Sequence, residues 1–202
     1  MELLWDRIAD ALVDTGYIVL DDIVPDDLLK GLLVRLGQLE SDGMRPAGVG
    51  RGQAFHQDQQ VRGDHICWLS NDNFEEQAYL LWMDNLRQGL NQRLFIGLQD
   101  YESHFAVYPA GSFYQKHLDA FRDAVNSHLP RRKITTVFYL NADWSSELAG
   151  ELIIYDEKGE SILEKISPVV GRLVIFMSDK FPHEVKASTH NRRSIAGWFR
   201  GC

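Results

Sequence analysis

Apolar positions recur at helical spacing from the start of the chain, at Leu3, Leu4, Ile8 and Leu12, and Gly16 follows as a stop signal. The spacing predicts a first helix, and the short run "YIVL" (Tyr17 to Leu20) reads as a strand. "PDDLLKGLLVRLGQLE" (Pro25 to Glu40) predicts a second helix, with Pro25 near its first turn and Asp26 and Asp27 at the positive end of its dipole. From Ser41 to Gln60 the periodicity stops, and glycines, Arg and Gln replace apolar residues. That composition suits a surface loop, and a loop this long inside a compact domain also suits a mobile lid. "HICWL" resumes as a strand. "FEEQAYLLWMDNLRQGLNQRLF" (Phe74 to Phe95) predicts the longest helix, with a buried stripe of Ala78, Leu81, Trp82, Leu86, Leu90 and Leu94.

After residue 100 the pattern changes to short apolar runs separated by turn residues. "SHFAVYPAG", "KITTVFYLN", "GELIIYDE", "ESILEKIS", "RLVIFMS", "HEVKAS" and "RSIAGWFR" are seven candidate strands at close spacing. Such spacing predicts a β-sandwich or barrel rather than a parallel α/β sheet. The expected fold class is mostly β with supporting α-helices, a jelly-roll core over 101–202 resting on the helices of 1–100. At 202 residues, a single domain over 1–202 is expected.

Charge and cysteine content narrow the function. A formal net charge of −8 argues against a partner held mainly through phosphates, so no nucleic acid is expected. A local basic patch, "PRRK" (Pro130 to Lys133), could still meet an acidic stretch of a protein. Two cysteines, Cys67 and Cys202, make neither a disulfide framework nor a thiolate zinc cluster. The first residues lack the basic opening and cleavage site of a signal peptide. No apolar run approaches the roughly 18 residues of a membrane span. A cytoplasmic protein without membrane contact is expected.

The stretch "YQKHLDAF" (Tyr114 to Phe121) brings chemistry into the picture. Residues two apart point the same way on an extended strand, so His117 and Asp119 can reach one point. His183, in "KFPHEV" after an apolar strand and a turn, can add a third ligand from another strand. Two imidazoles and one carboxylate form the facial triad of non-haem Fe(II) oxygenases, which leaves three adjacent coordination positions open for a cosubstrate and dioxygen. The bland alternative for His-X-Asp is an ordinary hydrogen-bonded pair. His56, His128 and His190, in polar surroundings, are expected to be solvated.

A dicarboxylate cosubstrate needs a buried cation for its far carboxylate, and Arg binds carboxylate bidentately while staying charged. In "HNRRSIAGWFR", alternation puts Arg192, Ser194, Ala196 and Trp198 on one face, where small Ser194 and Ala196 leave space beside Arg192. Arg193 lies on the other face, and one slip of register would exchange the two. On "KITTVFYLN", Thr135, Val137 and Tyr139 share one face, and Ile134, Thr136, Phe138 and Leu140 the other. Tyr139 can donate to the carboxylate held by Arg192, or it can be a core aromatic with its hydroxyl satisfied at the rim. Tyr108, in "AVYPAG", offers a second hydroxyl with the same two readings.

Taken together, "VRGDHICWL", "VYPAG" with "YQKHLDAF", "TTVFYLNADW", "GELIIY", "SPVVGRLVIFMSDKFPHEV" and "RRSIAGWF" resemble the Fe(II)- and 2-oxoglutarate-dependent prolyl hydroxylases. The resemblance is to the branch containing the hypoxia-inducible-factor prolyl hydroxylases of animals and their bacterial relatives. It implies a double-stranded β-helix fold, with His117, Asp119 and His183 as iron ligands and Arg192, Tyr139 and Tyr108 around 2-oxoglutarate. Trp198 resembles an aromatic of the pocket wall. Arg62 and Asp64 match a motif that follows a mobile substrate-covering loop, which makes Ser41 to Gln60 that loop. Fe(II), 2-oxoglutarate and O2 are the implied cofactor and cosubstrates, with ascorbate as an optional addition. The implied partner is a protein bearing a target proline; the bacterial relatives suggest a translation factor, elongation factor Tu. Two other readings stand beside this one: a hydroxylase of another residue or of a small molecule, and a non-catalytic, cupin-like binding module.

Overall fold

The computed structural model describes residues 2–48, 60–120 and 130–202. Three helices run over Glu2–Asp14 (α1), Asp26–Asp42 (α2) and Phe74–Leu94 (α3). Strands run over Tyr17–Leu20 (β1), Arg45–Pro46 (β2), His65–Trp68 (β3), Leu98–Tyr108 (β4), Tyr114–His117 (β5), Arg131–Tyr139 (β6), Leu152–Tyr155 (β7), Ile162–Ile166 (β8), Leu173–Met177 (β9), His183–Val185 (β10) and Arg192–Gly201 (β11). All seven runs predicted after residue 100 are strands. They build two antiparallel sheets, one ordered β1-β9-β6-β11-β4-β3-β2 and the other β5-β10-β7-β8. The N-terminal half contributes β1, β2 and β3 to the larger sheet as well as the helices.

Alternation along the strands explains the layering. On β6, Ile134 and Phe138 join a core cluster with residues of all three helices, such as Ile8, Leu36 and Met83. Their neighbours Val137 and Tyr139 face the other way, toward Leu152, Ile154 and Val185 of the smaller sheet. The larger sheet is therefore apolar on both faces, covered by helices on one side and by the second sheet on the other. Each fully buried large side chain in such a layer stabilises the fold by about 1.5–3 kcal/mol.

The helices pack less simply than their apolar spacing predicts. In α1 the buried residues are Trp5, Ile8, Ala9 and Leu12, while Leu3 is 84% exposed. In α3, Leu81 is 64% exposed, and the buried face runs instead through Tyr79, Trp82, Met83, Leu86 and Leu90. That face is a few tens of degrees from the expected stripe because α1 and α2 both press on α3. Trp5 meets Trp82 edge-on with ring centroids 5.8 Å apart and rests on Gly89, where a Cβ would lie 2.7 Å from the indole. From α2, Arg35 donates to the buried Glu76 carboxylate at 2.7 Å. Asn73 caps α3 by accepting from the Glu76 amide.

The expected loop Ser41 to Gln60 is shorter on its N-terminal side. Ser41 and Asp42 complete α2, Gly43 ends it with a positive φ, and Arg45–Pro46 pair with β3 as a new sheet edge. Residues 49–59 of the expected loop, with His56, lie outside the described residues, as does His128.

Candidate active site

The strand β5 ends at His117, and Asp119 sits in a bend two residues on, so simple strand alternation does not place that carboxylate. The bend does. The Ala120 amide donates to the Ser178 carbonyl at 3.3 Å, and Thr135 donates to Asp119 Oδ2 at 2.8 Å while also contacting the Ser178 hydroxyl. His183 opens β10 directly opposite His117. One donor atom from each of His117, Asp119 and His183 lies within 4.8 Å of the others. His117 Nε2 is 3.5 Å from Asp119 Oδ1, and His183 Nε2 is 3.5 Å from Oδ2.

Backbone carbonyls set both imidazole tautomers. His117 Nδ1 donates to the Gln115 carbonyl at 2.7 Å, and His183 Nδ1 donates to the Phe181 carbonyl at 3.0 Å. Each Nε2 lone pair is thereby left for the centre of the cluster, the orientation that metal-binding histidines require. Tyr114 stacks on His117 with centroids 3.6 Å apart, and Phe176 meets His183 edge-on. Burial and the neighbouring His117 push His183 down to about 4, so it is a neutral donor near neutral pH. Burial alone would raise the Asp119 carboxyl, but His183, His117 and Arg132 together hold it well below the usual carboxylate range. Two imidazoles and one carboxylate suit a hard or borderline cation such as Fe(II), and the donor set fits.

The cluster lines a cavity of about 70 Å³, together with Ala106, Val137, Leu152 and Val185. Arg192, 1% exposed, lines this cavity from β11 of the larger sheet. Its Nε donates to the Gly150 carbonyl at 2.9 Å and its Nη2 to the Tyr139 hydroxyl at 3.2 Å. Gly150 reaches this position with φ +80, and a Cβ there would meet Ser188 at 2.7 Å. Among the described residues Arg192 has no carboxylate partner, which is costly for a buried cation and fits a site for an anionic ligand group. Arg193 faces away and pairs with Glu40 at 2.8 Å, so the alternation predicted for β11 holds.

The remaining predicted residues surround this cavity. Tyr108, directly opposite Arg192 across the β4–β11 pair, lines it, and burial pushes its hydroxyl far above the ordinary tyrosine value. Tyr139 is fully buried behind Arg192 and reaches the cavity through that guanidinium. Trp198 lines both the cavity and a wider groove of about 880 Å³ that opens beside it. Its indole N–H has no acceptor among the described residues. Arg62 also lines both spaces, held bidentately by the buried Asp64 at 2.6 and 2.8 Å and lying over the Tyr114 ring.

Three contributors escaped the sequence. Thr135 holds Asp119, and only its place beside Val137 and Tyr139 on one strand face hinted at that. Arg132 stacks 3.5 Å over Trp198. His104 is buried beside Trp68 and Trp198, with Nε2 3.4 Å from Arg62 and Nδ1 3.1 Å from the Phe105 carbonyl. Since a guanidinium can only donate, His104 is the neutral tautomer protonated on Nδ1.

Comparison with known proteins agrees with this geometry. The 2OG-Fe(II) oxygenase superfamily description matches residues 103–200. The crystal structure of a Pseudomonas putida prolyl-4-hydroxylase is 36% identical, superposes with a TM-score of 0.86, and is covered over 98% of this chain and 99% of its own. The chain belongs to the prolyl hydroxylase branch of the 2OG-Fe(II) oxygenases. The oxygenase has the double-stranded β-helix fold of its structural neighbours and, as an enzyme of this family, uses Fe(II), 2-oxoglutarate and O2. Human Prolyl hydroxylase EGLN3 is 28% identical to it over 202 residues, 96% of this chain and 82% of the human one. A Trichoplax adhaerens prolyl hydroxylase, solved in complex with a hypoxia inducible factor oxygen degradation domain peptide fragment, is 26% identical with a TM-score of 0.84 and is covered over 99% of this chain and 90% of its own.

Proposed function

We propose that the oxygenase hydroxylates a prolyl residue within a polypeptide, converting it with 2-oxoglutarate and O2 to hydroxyprolyl, succinate and CO2. His117, Asp119 and His183 hold the iron, and Arg192 holds the far carboxylate of 2-oxoglutarate. The observation that supports this most is that one cavity is lined both by three convergent donors and by a buried guanidinium lacking a carboxylate partner among the described residues. Bound Fe(II), with its cosubstrates, supplies the oxidising power that puts oxygen into a C–H bond. The chain's own residues orient and insulate. Thr135 fixes the Asp119 carboxylate, the Gln115 and Phe181 carbonyls fix the two imidazoles, and Tyr139 and Gly150 aim Arg192. Ala106, Val137, Leu152 and Val185 keep the cavity walls apolar and exclude water. Tyr108 adds a hydroxyl beside Arg192. Trp198 and Tyr114 line the groove, where a proline ring can pack beside them, and Arg62, braced by Asp64, borders the same opening.

The proposed protein substrate is a translation factor, elongation factor Tu, and the proposed compartment is the cytosol where such a factor is met. This rests on the resemblance to bacterial relatives. Incubation with candidate proteins and tryptic mass spectrometry should find one proline gaining a single oxygen. The His117→Ala variant should lose both that oxygen and the peptide-dependent succinate. Turnover retained in the variant, or oxygen found on a lysine instead, would count against the reading.

A further inference from the structure

The groove beside the cavity is where a polypeptide must lie if the oxygenase acts on prolyl residues, and the inference here rests on that reading. Apolar Met44, Pro46, Ile66 and Trp68 line it together with four arginines among the described residues, Arg45, Arg62, Arg132 and Arg200. Three of these are already matched. Arg62 is held by Asp64, Arg132 by Glu102, and Arg200 by Asp100 and Glu102. Arg45, exposed on the edge strand β2, has no carboxylate within ion-pair distance among the described residues. On a chain with net charge −8, an unmatched cation at this lip is a local reversal of sign.

The register shows which way Arg45 points. Arg45 is opposite Ile66, Ile66 opposite Ala106, Ala106 opposite Ser194, and Ser194 opposite Tyr139. Directly opposed residues share a sheet face, and Ala106 and Ser194 line the cavity. Arg45 therefore stands on the cavity side of the sheet, two strand spacings or about 10 Å from Ala106. We propose that the polypeptide substrate carries an acidic residue near its target proline and that Arg45 receives it. An extended peptide advances about 3.3 Å per residue, which puts the acid on the order of three to five positions from the proline.

The test is a set of synthetic peptides with one central proline and Glu, Gln or Lys at each flanking position in turn. They are turned over by wild type, Arg45→Ala and Arg45→Glu with Fe(II) and 2-oxoglutarate, and the added oxygen is read by mass spectrometry. Thermal melting checks that both variants fold. The wild type should favour Glu over Gln at one or two positions by about two- to fivefold in KM, the size of an exposed ion pair. Arg45→Ala should flatten that preference, Arg45→Glu should transfer it to Lys at the same positions, and salt should shrink it. Identical flanking preferences in all three enzymes, with oxygen still added to proline, would overturn the role of Arg45 while leaving the prolyl reading intact. If no peptide gains oxygen on proline while 2-oxoglutarate is consumed with another substrate, the prolyl reading fails and this inference falls with it.

Discussion

His104 shows how a single buried side chain couples the site to solution conditions. It is 1% exposed, and burial, with Arg62 close by, pushes it down to about 4. An unfolded histidine titrates near 6.5, so the unfolded chain takes up a proton across a range in which the native chain refuses it. A depressed folded value means this contribution is complete above about pH 6.5 and is lost as pH falls toward 4. On the order of 3 kcal/mol is at stake. Thermal melts should therefore drop between pH 7 and 4.5, and His104→Gln, which keeps a donor and an acceptor, should show a shallower drop. Equal slopes would show that His104 takes no part. At this scale the sequence was legible where residue chemistry singled out the ligand set, although a bend rather than alternation places Asp119, and where alternation along β11 chose between two arginines. His117, Asp119 and His183 converge, and Arg192 rather than Arg193 faces the cavity because small Ser194 and Ala196 leave room there. It was not legible where a polar residue is buried by a distant partner. Glu76 needs Arg35 from another helix, and Thr135 needs a bend 16 residues away.

Among elements, the strands were easier to read than the helix faces. Alternation has a period of two and leaves only two choices, whereas a helix can turn any sector inward, and which sector depends on its neighbours. Leu3 and Leu81 fit an apolar period but have no partner layer, while Trp5, Tyr79 and Met83 do. The same contrast gives two glycine substitutions of opposite sign. Gly37, on the exposed face of α2, has nothing within 4 Å of an added Cβ, so Gly37→Ala should raise stability by up to about 1 kcal/mol. Gly89, inside α3, would thrust its Cβ into Trp5, and an overpacking cost of about 1–3 kcal/mol exceeds the helical gain. Gly89→Ala should lower the melting temperature by a few degrees, and matching shifts in the two variants would show that the Trp5 contact gives freely.

For the whole molecule, the cavity sits where the two sheets face each other. The smaller sheet brings His117 and His183, and the larger one brings Arg192. Ligands that bind only the folded form therefore tie the sheets together, and at about a hundredfold over Kd they add roughly 2.7 kcal/mol. For a chain of this size that is about 5–10 °C. Anaerobic Fe(II) with 2-oxoglutarate should raise the melting temperature by that amount, a chelator should reverse it, and no change would mean the cavity does not take them. Among the described residues no helix is long and apolar enough to cross a membrane.

The direct opposition of His117 and His183 across β5 and β10 has one more consequence. Because a strand turns each successive side chain to the other side, the number of residues in the connection from β9 to β10 decides whether His183 or one of its neighbours, Pro182 for a longer connection and Glu184 for a shorter one, occupies that place. Lengthening 178–182 by a single residue would leave every individual side chain of the site present in the chain and still dismantle it. Iron uptake during refolding would thus act as a gauge of strand alignment, capturing chains whose pairing is correct and passing over those shifted by one.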